Sequence, residues 1–245
     1  MFKIKRLFAD FRSDTVTQPT TAMLQSVLKI NQFDDCVLGI DSNVDNFEME
    51  MAKQFNKEKG LFMMSGTMAN QISMLSASSQ YAKPQSVVGH RNCHLMRWES
   101  AGIAFNSRAL PIMVPEYKLE SFKKHSNIVK DVHVAQTKIL LLENTIDGQV
   151  VDYNDLNSIF NFGKDNDMHV HLDGCRIWHA AIQESKSLNQ YGKVCDSISI
   201  CFSKALGAPV GAMLLGSKSF IETAKYYRKM FGGGIRQASG ISLFI

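Results

Sequence analysis

The run His169-Val-His-Leu-Asp-Gly-Cys-Arg176 is a short stretch of β-formers that ends on an acid and then turns on glycine. A second run of the same shape follows it: Ser197-Ile-Ser-Ile-Cys201 leads into Phe202-Ser-Lys-Ala-Leu-Gly-Ala-Pro-Val-Gly211. Both are bounded by turn residues, as strands are. Residues 178–185, which lie between them, space their apolar side chains at the helical period. Strand, helix and strand in succession are what build a parallel sheet. Working outward, 86–89, 137–142 and 212–215 are further strand-like runs, and 20–30, 44–55, 68–75 and 153–162 are helix-like. The expectation is an α/β fold, a mostly parallel sheet flanked by helices on both faces. No internal repeat, low-complexity tract or Pro/Ser-rich linker divides the chain.

Composition bounds the reading. At 245 residues, 45% hydrophobic and 20% charged, the chain can bury the core of one large domain, or of one domain and a fragment of another. The net charge of +4 is dispersed, and its only local cluster, Lys3-Ile-Lys-Arg6, is too short to argue for nucleic acid or an anionic membrane. Acidic small molecules remain compatible partners. Five cysteines, at 36, 93, 175, 195 and 201, form no CxxC pair and are odd in number, which argues against a disulfide framework or a zinc ribbon. The longest apolar stretch, around 208–215, is far shorter than the ~20 residues that span a bilayer, and residues 1–9 lack a signal-peptide core. These features predict a cytoplasmic protein. The end, Ser239-Gly-Ile-Ser-Leu-Phe-Ile245, is apolar without a cap or a second polar face, and reads as the cut-off start of another domain.

In open α/β sheets the ligand crevice lies beyond the carboxyl ends of the strands. Three strands end there in candidates: Glu143-Asn-Thr145, Asp173 and Ser203-Lys204. A strand-end lysine can form a Schiff base with an aldehyde, and desolvation together with a nearby cation would lower its pKa and make it nucleophilic. An aspartate beneath a pyridine nitrogen keeps that nitrogen protonated, so that the ring accepts electrons. Lys204 and Asp173 therefore suit pyridoxal phosphate. Arg176 offers a planar fork to a substrate carboxylate, although an ion pair within the protein is the plainer use. Met64-Ser-Gly-Thr-Met-Ala-Asn70 offers Ser65, Gly66 and Thr67 at a helix start for the phosphate, against the ordinary alternative of a helix cap. Nucleotide motifs fit poorly: Ser217 separates Gly216 from Lys218, and no GxGxxG follows a strand. His90 with His94, or His169 and His171 with Asp173, could be drawn as metal sites, but neither set has an HExxH glutamate, and no metal is expected. His94 is better used as a plane stacked on the pyridine ring, its alternative being a structural histidine.

Taken together, the motifs resemble the threonine aldolases, the low-specificity L-threonine and L-allo-threonine aldolases of the β-eliminating lyase group. The resemblance rests on Phe11-Arg-Ser-Asp-Thr-Val-Thr-Gln-Pro19, Ser65-Gly-Thr-Met-Ala-Asn70, His94 with Glu99, Leu142-Glu-Asn-Thr145, His171-Leu-Asp-Gly-Cys-Arg176, the 202–211 run and Arg228-Lys-Met-Phe-Gly-Gly-Gly-Ile-Arg-Gln237. It implies an aspartate-aminotransferase-like large domain with pyridoxal phosphate, and cleavage of a β-hydroxy-α-amino acid to glycine and an aldehyde. It further implies Lys204 as the Schiff-base lysine, Asp173 as the pyridinium partner, His94 as the stacked ring, and Gly66 and Thr67 as the phosphate turn. Ser13 and Arg176 would bind the substrate carboxylate, and Lys229 would approach the phosphate of a neighbouring subunit in a homo-oligomer, a dimer or a tetramer. His94, or a water it holds, is the candidate base for the substrate hydroxyl.

Three departures stand against the resemblance. Asp35-Cys-Val-Leu-Gly-Ile-Asp41 lacks the aromatic residue expected at Leu38 and the acid expected at Ile40; Ala205 replaces a glycine; and a C-terminal small domain is not represented. Two readings therefore compete with an aldolase: a non-catalytic homologue that binds the cofactor and acts as a subunit partner, and a different pyridoxal phosphate lyase.

Overall fold

Seven strands form one sheet among residues 9–30 and 34–242, the residues that the computed structural model describes. The basic cluster at 3–6 and the end of the apolar tail lie outside them. The strands are β1 (Lys59–Met63), β2 (Ser86–His90), β3 (Leu110–Val114), β4 (Thr137–Glu143), β5 (His169–Asp173), β6 (Ser197–Cys201) and β7 (Ala212–Gly216). They lie in the order β1-β7-β6-β5-β4-β2-β3. β3, β2, β4, β5 and β6 pair in parallel, while β7 runs antiparallel to both of its neighbours. The helices are α1 (Thr21–Val27), α2 (Ser42–Gln54), α3 (Gly66–Ser78), α4 (His94–Arg97), α5 (Gly102–Ser107), α6 (Leu119–His125), α7 (Tyr153–Asp165), α8 (Ile177–Gln183), α9 (Leu188–Lys193), α10 (Lys218–Met230) and α11 (Ser239–Ser242). None of the described helices is long and apolar enough to cross a membrane.

Both faces of the sheet are covered, and alternation along β5 decides what each one meets. Val170 points to α7, where Gly163 leaves the room: a Cβ there would lie 2.6 Å from Val170 Cγ2. His171 and Asp173 point the other way, toward polar side chains of α3. α10 shares the α3 side, since the ring of His169 stacks on Phe220 with centroids 4.9 Å apart.

The α/β expectation holds, and the structure adds what local pattern hid. β1 and β3 are extra, outermost strands. Pro111 interrupts the strand pattern but is tolerated in β3, which among the described residues pairs only with β2. Gly60 weakens β1 as a sequence signal yet lets α2 lie close, because a Cβ there would come 2.7 Å from the Glu48 carbonyl oxygen. The direction of β7 follows from its short connection to β6. Antiparallel neighbours can be joined by a loop, whereas parallel ones need a longer crossover. Lys204 is carried on that loop, residues 202–211.

Candidate functional site

Asp173 ends β5 at 3% exposure. Its Oδ1 accepts the Cys175 N–H at 3.0 Å and its Oδ2 accepts Asn70 Nδ2 at 2.8 Å. Burial alone would raise its pKa, but the charge of Lys204 and hydrogen bonds from Cys175 and Asn70 outweigh burial and hold it below the ordinary value. Glu143, the facing residue at the end of β4, behaves in the opposite sense: burial and then the charge of Asp173 push it up to about 9. One buried negative charge suffices for the pair, and Asp173 keeps it. Glu143 Oε2 accepts the His94 backbone N–H at 2.6 Å and so fixes the start of α4.

From Asp173 a continuous chain of hydrogen bonds reaches His94. Asn70 Nδ2 donates also to Glu99 Oε1 at 2.9 Å, and that oxygen meets His94 Nδ1 at 2.8 Å. Asn70 Oδ1 accepts Ser199 Oγ at 2.5 Å, and Gln71 Nε2 donates to Glu99 Oε2 at 2.7 Å. The Glu99 hydrogen bond outweighs partial burial and raises the His94 pKa. Single atoms of His94, Glu99 and Asp173 lie within 4.8 Å of one another, a spacing a cation could bridge. The Asn70 amide, however, already donates between the two carboxylates. Of the histidine pairs sketched from sequence, His90 Nε2 is at 3.0 Å from the Pro115 carbonyl, while His169 Nε2 and His171 Nδ1 meet on one hydroxyl, Ser197 Oγ, at 2.8 and 2.9 Å.

Lys204 lies within electrostatic reach of Asp173, Cys175, Cys201, Arg176, His94 and Asp14. The expected lowering of its pKa is reversed. Burial and Arg176 do lower it, yet the negative charge of the Cys175/Cys201 pair and of Asp173 prevails, and Lys204 is raised.

Ser65 is the N-cap of α3, its Oγ accepting the Met68 N–H at 3.1 Å, the ordinary alternative raised from sequence. The backbone N–H groups of Gly66 and Thr67 belong to the first turn, where helical partners are lacking and the helix dipole is positive. Gly66 is buried between Cys175 and Cys201, and a Cβ there would lie 2.8 and 2.9 Å from their Sγ atoms.

Arg176 is engaged by Asp14, with Nε at 3.1 and 3.0 Å from Oδ1 and Oδ2 and Nη2 at 2.9 Å from Oδ1. Nη1 takes no part in that fork. Ser13 caps the short turn Asp14–Val16 by accepting the Thr15 N–H at 3.2 Å. Ser13, His94, Glu143 and Arg176 line one cleft of about 320 Å³. Lys229 is placed elsewhere, on the exposed last turn of α10 beside Gly234, and joins none of these contacts. Leu38 and Ile40 are exposed.

Sequence reasoning assigned no role to Asn70 or Asp14. For Asn70 a signal existed: Asn70 and Ser73 fall three apart on the buried face of α3, where an ordinary amphipathic helix carries apolar residues.

The mostly parallel sheet brings a strand-end acid, a loop lysine and a helix N-terminus to one end. The model for the beta-eliminating lyase family matches residues 10–243, and the chain belongs to that family. It is 40% identical over 235 residues to a low specificity L-threonine aldolase of Saccharomyces cerevisiae, covering 94% of this chain and 60% of the relative. It is 36% identical over 238 residues to the alanine racemase TOXG of Cochliobolus carbonum, covering 95% and 60%. A solved structure of Leishmania major threonine aldolase matches with a TM-score of 0.82 at 17% identity, covering 95% of this chain and 69% of that one. The chain thus spans about 60% of the length of these curated relatives.

The residues present suit pyridoxal phosphate. An ionised, buried carboxylate that seeks a cation, an amine beside it and a helix N-terminus at Gly66 match the ring nitrogen, aldehyde and phosphate of that cofactor.

Proposed function

We propose that this chain binds pyridoxal phosphate and serves the cleavage of L-threonine or L-allo-threonine to glycine and acetaldehyde. The observation that carries the reading is Asp173, buried, kept ionised and set within reach of Lys204. When bound, the cofactor supplies an electron-accepting ring that stabilises the carbanion left by breaking the Cα–Cβ bond. Lys204 would hold the cofactor aldehyde, Asp173 would hold the proton on the ring nitrogen, and Ser65, Gly66 and Thr67 would bind the phosphate. His94 would cover the ring. Because Glu99 takes Nδ1, Nε2 is the atom left to accept the proton of the substrate hydroxyl, directly or through a water. Ser13 and Arg176 would bind the substrate carboxylate, with Arg176 Nη1 offered beside the Asp14 fork. Lys229, exposed on its own chain, would serve the phosphate of a neighbouring copy in a homo-oligomer. The five buried, free cysteines suit a reducing, cytoplasmic setting.

The test is to mix the purified chain with pyridoxal phosphate and L-allo-threonine. The reading expects a visible absorbance band that Lys204→Ala abolishes, together with release of glycine and acetaldehyde. A band without products favours the non-catalytic cofactor binder, and no band overturns the proposal. The likeness to TOXG motivates one further arm, in which racemisation of L-alanine without aldol cleavage would favour a racemase.

A further inference from the structure

Cys175 follows the turn after β5, Cys201 ends β6, and the two thiols meet beneath the first residue of α3. Each Sγ is within 3 Å of one point, the position that a Cβ on Gly66 would take, at 2.8 and 2.9 Å. Both thiols thus border the same small space, and Cys201 Sγ also contacts Ser203 Oγ at 3.9 Å. Glycine at position 66 therefore leaves open the space through which the sulfurs face one another. Both belong to segments that carry candidate cofactor residues, Cys175 two residues after Asp173 and Cys201 three residues before Lys204.

We propose that Cys175 and Cys201 form a peroxide-sensitive dithiol that closes to a disulfide in the floor of the site. The direction of attack follows from the surroundings: the neighbouring Cys175 thiol and the charge of Lys204 lower the Cys201 thiol, whereas Cys201 and burial raise Cys175. Cys201 is thus the thiolate. Its sulfur attacks one oxygen of hydrogen peroxide, the O–O bond breaks, and a sulfenic acid forms as hydroxide leaves and takes up a proton to become water. The Cys175 sulfur then attacks the sulfenic sulfur, giving up its proton, and the second oxygen departs as water. Two thiols lose two electrons and two protons, and one peroxide becomes two waters. Burial selects the oxidant. At 6% and 3% exposure the pair is closed to a bulky disulfide such as oxidised glutathione, and a water-sized peroxide is the oxidant that fits. Cys36, Cys93 and Cys195 have no such thiol neighbour among the described residues, and burial raises each of them.

This proposal does not depend on the lyase reading, because it needs neither cofactor nor turnover. The test treats the native chain with hydrogen peroxide, blocks the remaining thiols with N-ethylmaleimide in denaturant, and maps tryptic peptides without reductant. The expected result is loss of the mass of two hydrogens and a cross-link between peptides 165–176 and 194–204. Fragment ions should place the bond on Cys201 rather than Cys195, and dithiothreitol should restore both thiols. Cys175→Ser should instead let Cys201 run on to sulfinic acid. Recovery of Cys175 and Cys201 as unlinked thiols, or a cross-link through Cys195, would overturn the proposal and leave the pair as small apolar packing.

Discussion

At the residue scale, Asn70 determines more of the site than either charged group does alone. Its amide divides between Glu99 and Asp173, and its carbonyl takes the Ser199 hydroxyl, all in the buried interior. Asn70→Ala leaves four side chains, those of Glu99, Asp173, Ser199 and His171, each short of a partner. We expect a loss of about 2 kcal/mol or more, the scale of an unsatisfied buried group, read as a shifted midpoint in urea. His171 makes a pH prediction. Its folded pKa is lowered to about 3 by burial, and that of His169 to about 4, from an ordinary 6.5. The unfolded chain therefore binds protons that the folded one refuses, so stability is complete above 6.5 and falls as the pH drops from there toward 4 and 3. His171→Gln should flatten that acid slope in denaturation curves taken across the range, and an unchanged slope would show that His171 binds protons equally in the folded and unfolded chain. Lys204 and Asp173 were legible because charge at the end of an apolar strand is conspicuous. The raised Lys204 pKa was not, because it depends on two thiols brought together by folding.

At the scale of elements, close approach is the constraint to test. Gly192 of α9 lies against the last turn of α2, and a Cβ there would fall 1.7 Å from the Phe55 carbonyl oxygen. Backbone cannot swing aside as a side chain does. Gly192→Ala should cost about 3 kcal/mol, the upper end for overpacking, in thermal or chemical melts. Ser65→Ala removes the N-cap of α3 and should cost roughly 1 kcal/mol. Under the proposed function it should weaken cofactor binding as well, and a titration of pyridoxal phosphate against both proteins separates the two effects. The periodic segments, β4 to β7 with α2, α3 and α7, could be read locally because each repeats one pattern over several residues. β1 and β3 could not, since Gly60 and Pro111 are explained only by the neighbours they acquire.

For the whole molecule, Phe11, Leu28, Phe105 and Val132 expose large apolar surfaces, 85 to 97% of each residue. Single exposed apolar residues are ordinary, and the homo-oligomer proposed above would be the arrangement that covers some of them. Sedimentation should show a concentration-dependent rise above the mass of 27.4 kDa, and a monomer at every concentration would remove the oligomer from the proposal. The sheet order also governs when the molecule can form during synthesis. Among the described residues β1 has no strand partner except β7, which begins at Ala212, so Lys59 to Met63 leave the ribosome long before that partner exists. Contacts so distant along the chain are slow to close, and an unpaired strand edge invites association in the meantime. The nascent chain therefore carries β1 unpaired while the roughly 150 residues up to Ala212 are made.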